Sequence, residues 1–265
     1  MINTRDEFQN YFFIIANEIQ KVILSSIGDV DKKDKIVNHT LLSLSNSIVE
    51  QAKSIVILLN ANNVEAVGLI LRSQFELYLS VEFIVQKKEK GNIQKRAKAH
   101  YYFSRLQSLN NLKDFEEANP DDPKTYTAED CSRELENATN IQDLIDHYDV
   151  EYKKLFRYPP KKYYYKNWFT IDEQHSFSIQ RLVRILKLEP SLYTLFYKYG
   201  SMDMHGSSIY DLQKKRFSKN MVASMTRTLV QINLDRLVKF YKIESSETTD
   251  LLSNLDYINK KLKEE

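Results

Sequence analysis

Glycine and proline are scarce, five of each in 265 residues. Together they fill about 4% of the chain, against roughly 12% in an average globular protein. A β-sandwich or a doubly wound α/β fold consumes both residue types in its tight turns, so both folds are excluded. Gly28, Gly68, Gly91, Gly200 and Gly206 form no cluster, which excludes a dinucleotide fingerprint and a Walker loop. The single cysteine, Cys131, rules out an intrachain disulfide and a multi-cysteine zinc site. No apolar run reaches the roughly 18 residues of a membrane span. The opening Met1-Ile2-Asn3-Thr4-Arg5-Asp6-Glu7 lacks the basic-then-apolar order of a signal peptide. An excess of one charge is missing too: 38 basic side chains face 36 acidic ones, for a net charge of +2. No global field therefore marks a nucleic-acid binder. A soluble, cytoplasmic protein without membrane contact is the expectation.

What the chain does contain is helical periodicity. Thr4 and Glu7 have capping-box spacing, and Phe8, Phe12, Ile15, Ile19, Val22 and Ile23 recur at helical period up to Gly28. A second helix is predicted from Asp34 to Asn60, with Val37, Leu41, Leu44, Ile48, Ala52, Ile55 and Leu59 on one stripe. Asn62 or Asn63 is expected to cap a third helix, ending near Gly91 as a C′ residue. A fourth covers Asn92 to Ala118, after which Asn119-Pro120-Asp121-Asp122-Pro123 breaks the chain. Shorter helices follow over Ala128–Asn137 and Ile141–Phe156, then a loop over Tyr158–Phe177. Helices resume over Ser178–Leu186, Ser191–His205, Phe217–Tyr241 and, polar and peripheral, Glu247–Lys263. The predicted fold is one all-α domain over residues 1–265, a bundle of long antiparallel helices with a shorter-helix excursion at 119–177.

Two features carry candidate chemistry. The third helix is apolar nearly all round between Val64 and Val85, yet it holds Arg72 and Glu76. Residues four apart share a helix face, and a buried charge demands a partner. The pair is either a structural ion pair between helices or the wall of a polar pocket in which Arg72 holds an anion. The second feature is the run Tyr197 to Gly206, where Ser201, Asp203 and His205 crowd together. Helical geometry rejects a catalytic triad, because Asp203 stands roughly 200° from the other two, and no Gly-x-Ser-x-Gly elbow is present. His205, in a last helical turn before Gly206, either caps carbonyls or acts as acid, base or phosphate ligand. His39, His100, His147 and His175 stand alone, without metal-ligand spacing. No metal and no cofactor are expected.

Two basic stretches bear on nucleic acid. Residues 87–105 hold seven Lys or Arg against Glu89 alone. Residues 153–166 interleave Lys161, Lys162 and Lys166 with Tyr163, Tyr164 and Tyr165, and Trp168 follows. Basic groups beside exposed aromatics suit single-stranded RNA; a solvated basic face with inward aromatics is the structural alternative. Lys161, Lys162, Tyr164, Lys166 and Trp168 are the candidate nucleic-acid contacts.

Together, Ala66, Arg72-x-x-x-Glu76, Trp168, Ile179-x-x-Leu182, Leu188, Tyr193, Tyr197, Ser201 and His205 resemble a widespread helical family of bacterial proteins met among phage-defence genes. Its C-terminal signature is Trp-Ser-Gly, a short helix, then Tyr-x-x-x-Ser-x-x-x-His-Pro. The likeness covers residues 60–210 and departs from the pattern at Trp168-Phe169-Thr170 and at Gly206. That family is in turn distantly similar to HEPN proteins, helical dimers that often cleave RNA without metal. HEPN ribonucleases carry Arg and His with four to six residues between them. Arg96-x-x-x-His100 is one residue short, so Arg72 would have to partner His205 from another helix. The resemblance implies an RNA-cleaving effector of defence or toxin type, acting as a homodimer or with another defence protein. Its site would be His205, Arg72, Glu76, Ser201 and Tyr197. The alternative is a non-catalytic interaction or ligand-sensing module.

Overall fold

A computed structural model describes residues 5–27, 34–63, 66–86, 89–121, 126–157, 167–172, 178–198 and 218–264. Among these residues 84% are helical, in ten helices and no strand: an all-α protein. No helix among them is long and apolar enough to cross a membrane. The chain divides into two compact units, residues 1–86 with 178–265, and residues 87–177.

The first unit contains α1 (Arg5–Ile27), α2 (Lys35–Asn60) and α3 (Val67–Val85), and then α7 (Ile179–Ile185), α8 (Pro190–Leu192), α9 (Lys219–Tyr241) and α10 (Ser246–Glu264). The predicted stripe of α2 is buried at every position from Val37 to Leu59, each large aliphatic contributing about 1.5–3 kcal/mol. At the centre stands α9, packed on α1, α2, α3 and α10. Polar groups are buried along it in bonded pairs. The Thr226 hydroxyl donates to Gln74 Oε1 at 2.7 Å, and Gln74 Nε2 donates to the Ile48 carbonyl at 3.0 Å. Asn233 Nδ2 donates to Ser45 Oγ at 2.9 Å. These bonds tie α9 and α3 to α2 and satisfy groups that would otherwise cost free energy inside the core. The last helix, expected to be peripheral, packs on α1 and α9 through buried Leu255, Ile258 and Leu262.

Three helices end on a left-handed residue that is not glycine: Asn62, Lys187 and Lys242, at φ 60°, 56° and 54°. Each forms a Schellman pair of reversed bonds, such as Asn63 N–H to Leu58 O with Asn62 N–H to Leu59 O. Asn62 thus stops α2 instead of capping α3, whose N-cap is Ala66 with no side-chain bond. Gly91 is likewise no C′ residue; α3 ends at Val85 and Gly91 lies in the first turn of the next helix.

The second unit contains α4 (Lys90–Ala118), α5 (Ala128–Glu134), α6 (Ile141–Lys154) and a 3₁₀ turn at Trp168–Thr170. Reciprocal capping boxes start α5 (Thr127 with Asp130) and α6 (Asn140 with Asp143). The apolar core gathers Leu109, Cys131, Leu144, Ile145 and Tyr148. Beside it Glu134 accepts from Arg105 Nε at 3.0 Å and from the Tyr148 hydroxyl at 2.7 Å, with Tyr126 as a third donor. Among the described side chains of the basic run, Lys95 meets Asp172 at 2.7 Å, Arg105 meets Glu134, and Arg96 is 3% exposed.

Candidate functional site

The first unit brings together residues 125 positions apart in the chain. Arg72 projects from α3 with its side chain 19% exposed, one turn before Glu76 at 41%. Arg72 Nε donates to Glu76 Oε1 at 3.0 Å. Its Nη2 donates to the Tyr197 hydroxyl at 2.8 Å, and the guanidinium carbon lies 4.1 Å from the Tyr197 ring centroid. One arginine is therefore held by a carboxylate, a phenol and an aromatic ring. The pair does not sit deep in the core as the apolar helix suggested; it faces a partly open surface, and Glu76 reaches water.

Tyr197 belongs to a wide-turned segment, Tyr193–Lys198, that follows α8 directly. In place of the α-helix that the sequence predicts from Ser191 onward, the described part widens to π-type turns, a form frequent at functional sites. Phe196, 4% exposed, stacks on Phe75 of α3 with centroids 4.9 Å apart and planes at 14°. That contact clamps the segment to α3. Tyr193 stacks on Tyr197 at 5.2 Å and 18°, so the i, i+4 pairing of the two tyrosines survives the wider turn. Burial pushes the Tyr197 phenol above its ordinary value; the nearby Arg72 charge opposes this and Glu76 adds to it. The phenol stays protonated at neutral pH.

Arg72, Glu76 and Tyr197 are thus brought together. Ser201 and His205 lie outside the described residues, as do Lys161, Lys162, Tyr164 and Lys166. Trp168 is 5% exposed and packs edge-on against His100 with centroids 4.9 Å apart, so its ring is held within the second unit instead of being offered to solvent. His100 itself is pushed by burial from the ordinary 6.5 to about 4 and is neutral at physiological pH. In the sequence His100 stands alone, and its apolar flank in α4 is the signal for burial. Among the described residues no three His, Cys, Asp or Glu side chains gather as a metal ion would require.

A second set of ionisable groups lies along α3. Glu82, 9% exposed, pairs with Arg236 of α9 at 3.1 Å. Burial raises its carboxyl above the ordinary value, with Arg236 opposing. Tyr78 beside it is driven well above the usual phenol range, first by burial and then by the Glu82 charge. This set braces α3 against α9.

No curated protein and no solved structure matches the chain. Residues 38–220, a span that contains Arg72, Glu76, Tyr197 and His205, match one family model, described as a family of unknown function (DUF5677). The chain belongs to that family.

Proposed function

We propose that this protein is a HEPN-like effector of bacterial defence or toxin type that cleaves RNA without a metal ion, acting in the cytoplasm as a homodimer or with a partner protein. The observation that carries the reading is the fixed guanidinium of Arg72, held by Glu76 at 3.0 Å and by Tyr197 at 2.8 Å on a partly open surface. A preoriented guanidinium stabilises a phosphorane whose negative charge grows in the transition state, and it does so without reorganisation at the moment of reaction.

In this mechanism His205 takes the proton of the ribose 2′-hydroxyl, whose oxygen attacks phosphorus. The bond to the 5′-oxygen breaks, and the imidazolium returns its proton to that leaving oxygen. The products are a 2′,3′-cyclic phosphate and a 5′-hydroxyl, so protons and electrons balance. Arg72 binds the non-bridging oxygens, and Glu76 orients Arg72. Tyr197, which accepts from Arg72 through its oxygen, keeps its own proton, and it or Ser201 donates to the phosphate.

One observation favours the second reading, a non-catalytic interaction or ligand-sensing module in which the cluster fixes helix packing: the bond to Glu76 offsets much of the Arg72 charge. The two readings separate on His205→Ala. If the effector reading is right, wild-type protein cleaves RNA in the presence of EDTA and His205→Ala does not, with an unchanged melting temperature. Intact RNA with wild-type protein across diverse substrates supports the module.

A further inference from the structure

The segment Tyr193–Lys198 carries three aromatic rings, each in a different setting. Phe196 is buried and stacks on Phe75 at 4.9 Å, which by itself fastens the segment to α3. Tyr197 holds Arg72 through its hydroxyl and its ring. Tyr193 does neither. It is half-buried and stacks on Tyr197 with centroids 5.2 Å apart and planes at 18°. Among the described residues it stacks on no second ring, and its hydroxyl has no hydrogen-bond partner.

An RNA strand held at Arg72 gains little from charge. Glu76 at 3.0 Å offsets much of the guanidinium, and the net charge of the chain is only +2, whereas phosphate-driven binding draws on several cations at once. Such a strand must take its affinity from its bases, which stack on aromatic side chains. Offset, nearly parallel rings do so with centroids about 4.5–7 Å apart. Tyr197 and Tyr193 already form a stack of that kind, anchored at one end by the guanidinium. A base laid on Tyr193 extends it by one ring. On α3, Leu69 shares the face of Arg72 one turn earlier and is 51% exposed, so the surface beside the guanidinium is apolar as well.

We infer that Tyr193 is a substrate-binding residue: the base of a nucleotide adjoining the phosphate held by Arg72 stacks on its ring. The inference rests on the reading of Arg72 as a contact to an RNA phosphate. A stack reads the π-face of a base and not its hydrogen-bonding edge, so all four bases are accepted. Purines, with two fused rings, cover more of the tyrosine and are held more tightly than pyrimidines.

Fluorescence anisotropy of the full chain with a short 2′-O-methyl oligoadenylate tests it, because the blocked 2′-oxygen prevents cleavage; an abasic strand of the same length is the comparator. Phe196 fastens the segment, so Tyr193→Leu keeps the fold. It should weaken oligoadenylate binding about tenfold, the weight of one stacked base, and leave the abasic strand unaffected. Tyr193→Phe, which keeps the ring, should bind oligoadenylate as the wild type does. Arg72→Met should weaken both strands by the same factor, since its partner is phosphate. Unchanged oligoadenylate affinity in Tyr193→Leu overturns the inference, and so does an equal loss on the two strands, which would assign Tyr193 to the support of Tyr197. Wild-type protein that binds no RNA overturns it together with the RNA reading. A base-dependent loss in a protein that leaves unmodified RNA intact upholds the stack and removes only the cleavage.

Discussion

Arg72 of α3 and Tyr197 of the wide-turned segment share two contacts at once, a 2.8 Å hydrogen bond to the phenol and a guanidinium-to-ring distance of 4.1 Å. The double contact sets the direction of the guanidinium, and Glu76 supplies a third constraint at 3.0 Å. Because Glu76 is 41% exposed, removing Arg72 strands no buried charge. Arg72→Met should therefore cost about 1–2 kcal/mol, the worth of a charged hydrogen bond and a cation–π contact, instead of the roughly 3–5 kcal/mol of a broken buried pair. Urea unfolding measures it; a loss above that lower range would place the pair inside the core.

The burial penalty falls instead on Gln74 and Thr226, both fully buried and bonded at 2.7 Å. Thr226→Val leaves Gln74 Oε1 without its donor and should cost about 1–3 kcal/mol. Combining it with Gln74→Leu should recover part of that loss, since removing both polar partners is cheaper than removing one. A double-mutant cycle with no coupling between the two positions would contradict this.

Glycine scarcity leaves stability unclaimed at the helix ends. Lys187 and Lys242 occupy left-handed backbone at φ 56° and 54°, where glycine carries no Cβ penalty. Lys187→Gly and Lys242→Gly should each stabilise by about 0.5–1 kcal/mol. A Cβ at Gly91 meets nothing within 4 Å, so Gly91→Ala should add up to about 1 kcal/mol to α4. Thermal melts that fall on any of these changes would show that the helix ends are not as described.

The sequence predicted these elements well where burial is decided by one stripe. The α2 periodicity from Val37 to Leu59 maps onto buried positions one for one, and its ends, Lys35 and Asn60, agree with the expected bounds, whereas α3 ends at Val85, well short of Gly91. It predicted less where tertiary partners decide. Asn62 is equally suited to an N-cap and to left-handed backbone, and only the reversed bonds to α2 distinguish them. The i, i+4 rule finds Glu76 beside Arg72, but cannot say whether that face meets core or water. Tyr197 came from the family resemblance, because a contact across 125 residues leaves no local pattern. The central position of α9 was hidden by its polar residues, whose partners Gln74 and Ser45 are supplied by other helices.

His100 gives the second unit an acid sensitivity. Its pKa falls from 6.5 to about 4 on folding, through burial. The folded state therefore binds fewer protons between these values than the unfolded chain does. Its stability contribution is complete above pH 6.5 and is lost progressively as pH falls towards 4. Between pH 7.5 and 4.5 the loss should reach about 2–3 kcal/mol. Trp168, the one tryptophan in the chain, lies against His100 and reports the transition by fluorescence. His100→Gln should flatten this limb; an unchanged slope would assign the acid sensitivity to other groups.

The most direct measurement of the central claim is cleavage of single-stranded RNA in EDTA by Arg72→Lys beside the wild-type protein. Lysine keeps the charge but loses the planar fork that Glu76 and Tyr197 orient. If the fixed guanidinium stabilises the phosphorane, Arg72→Lys should fold normally, bind RNA nearly as before, and lose on the order of 10²-fold or more in kcat, as for removal of a preorganised transition-state donor. A folded Arg72→Lys protein that cleaves RNA at the wild-type rate would contradict the account.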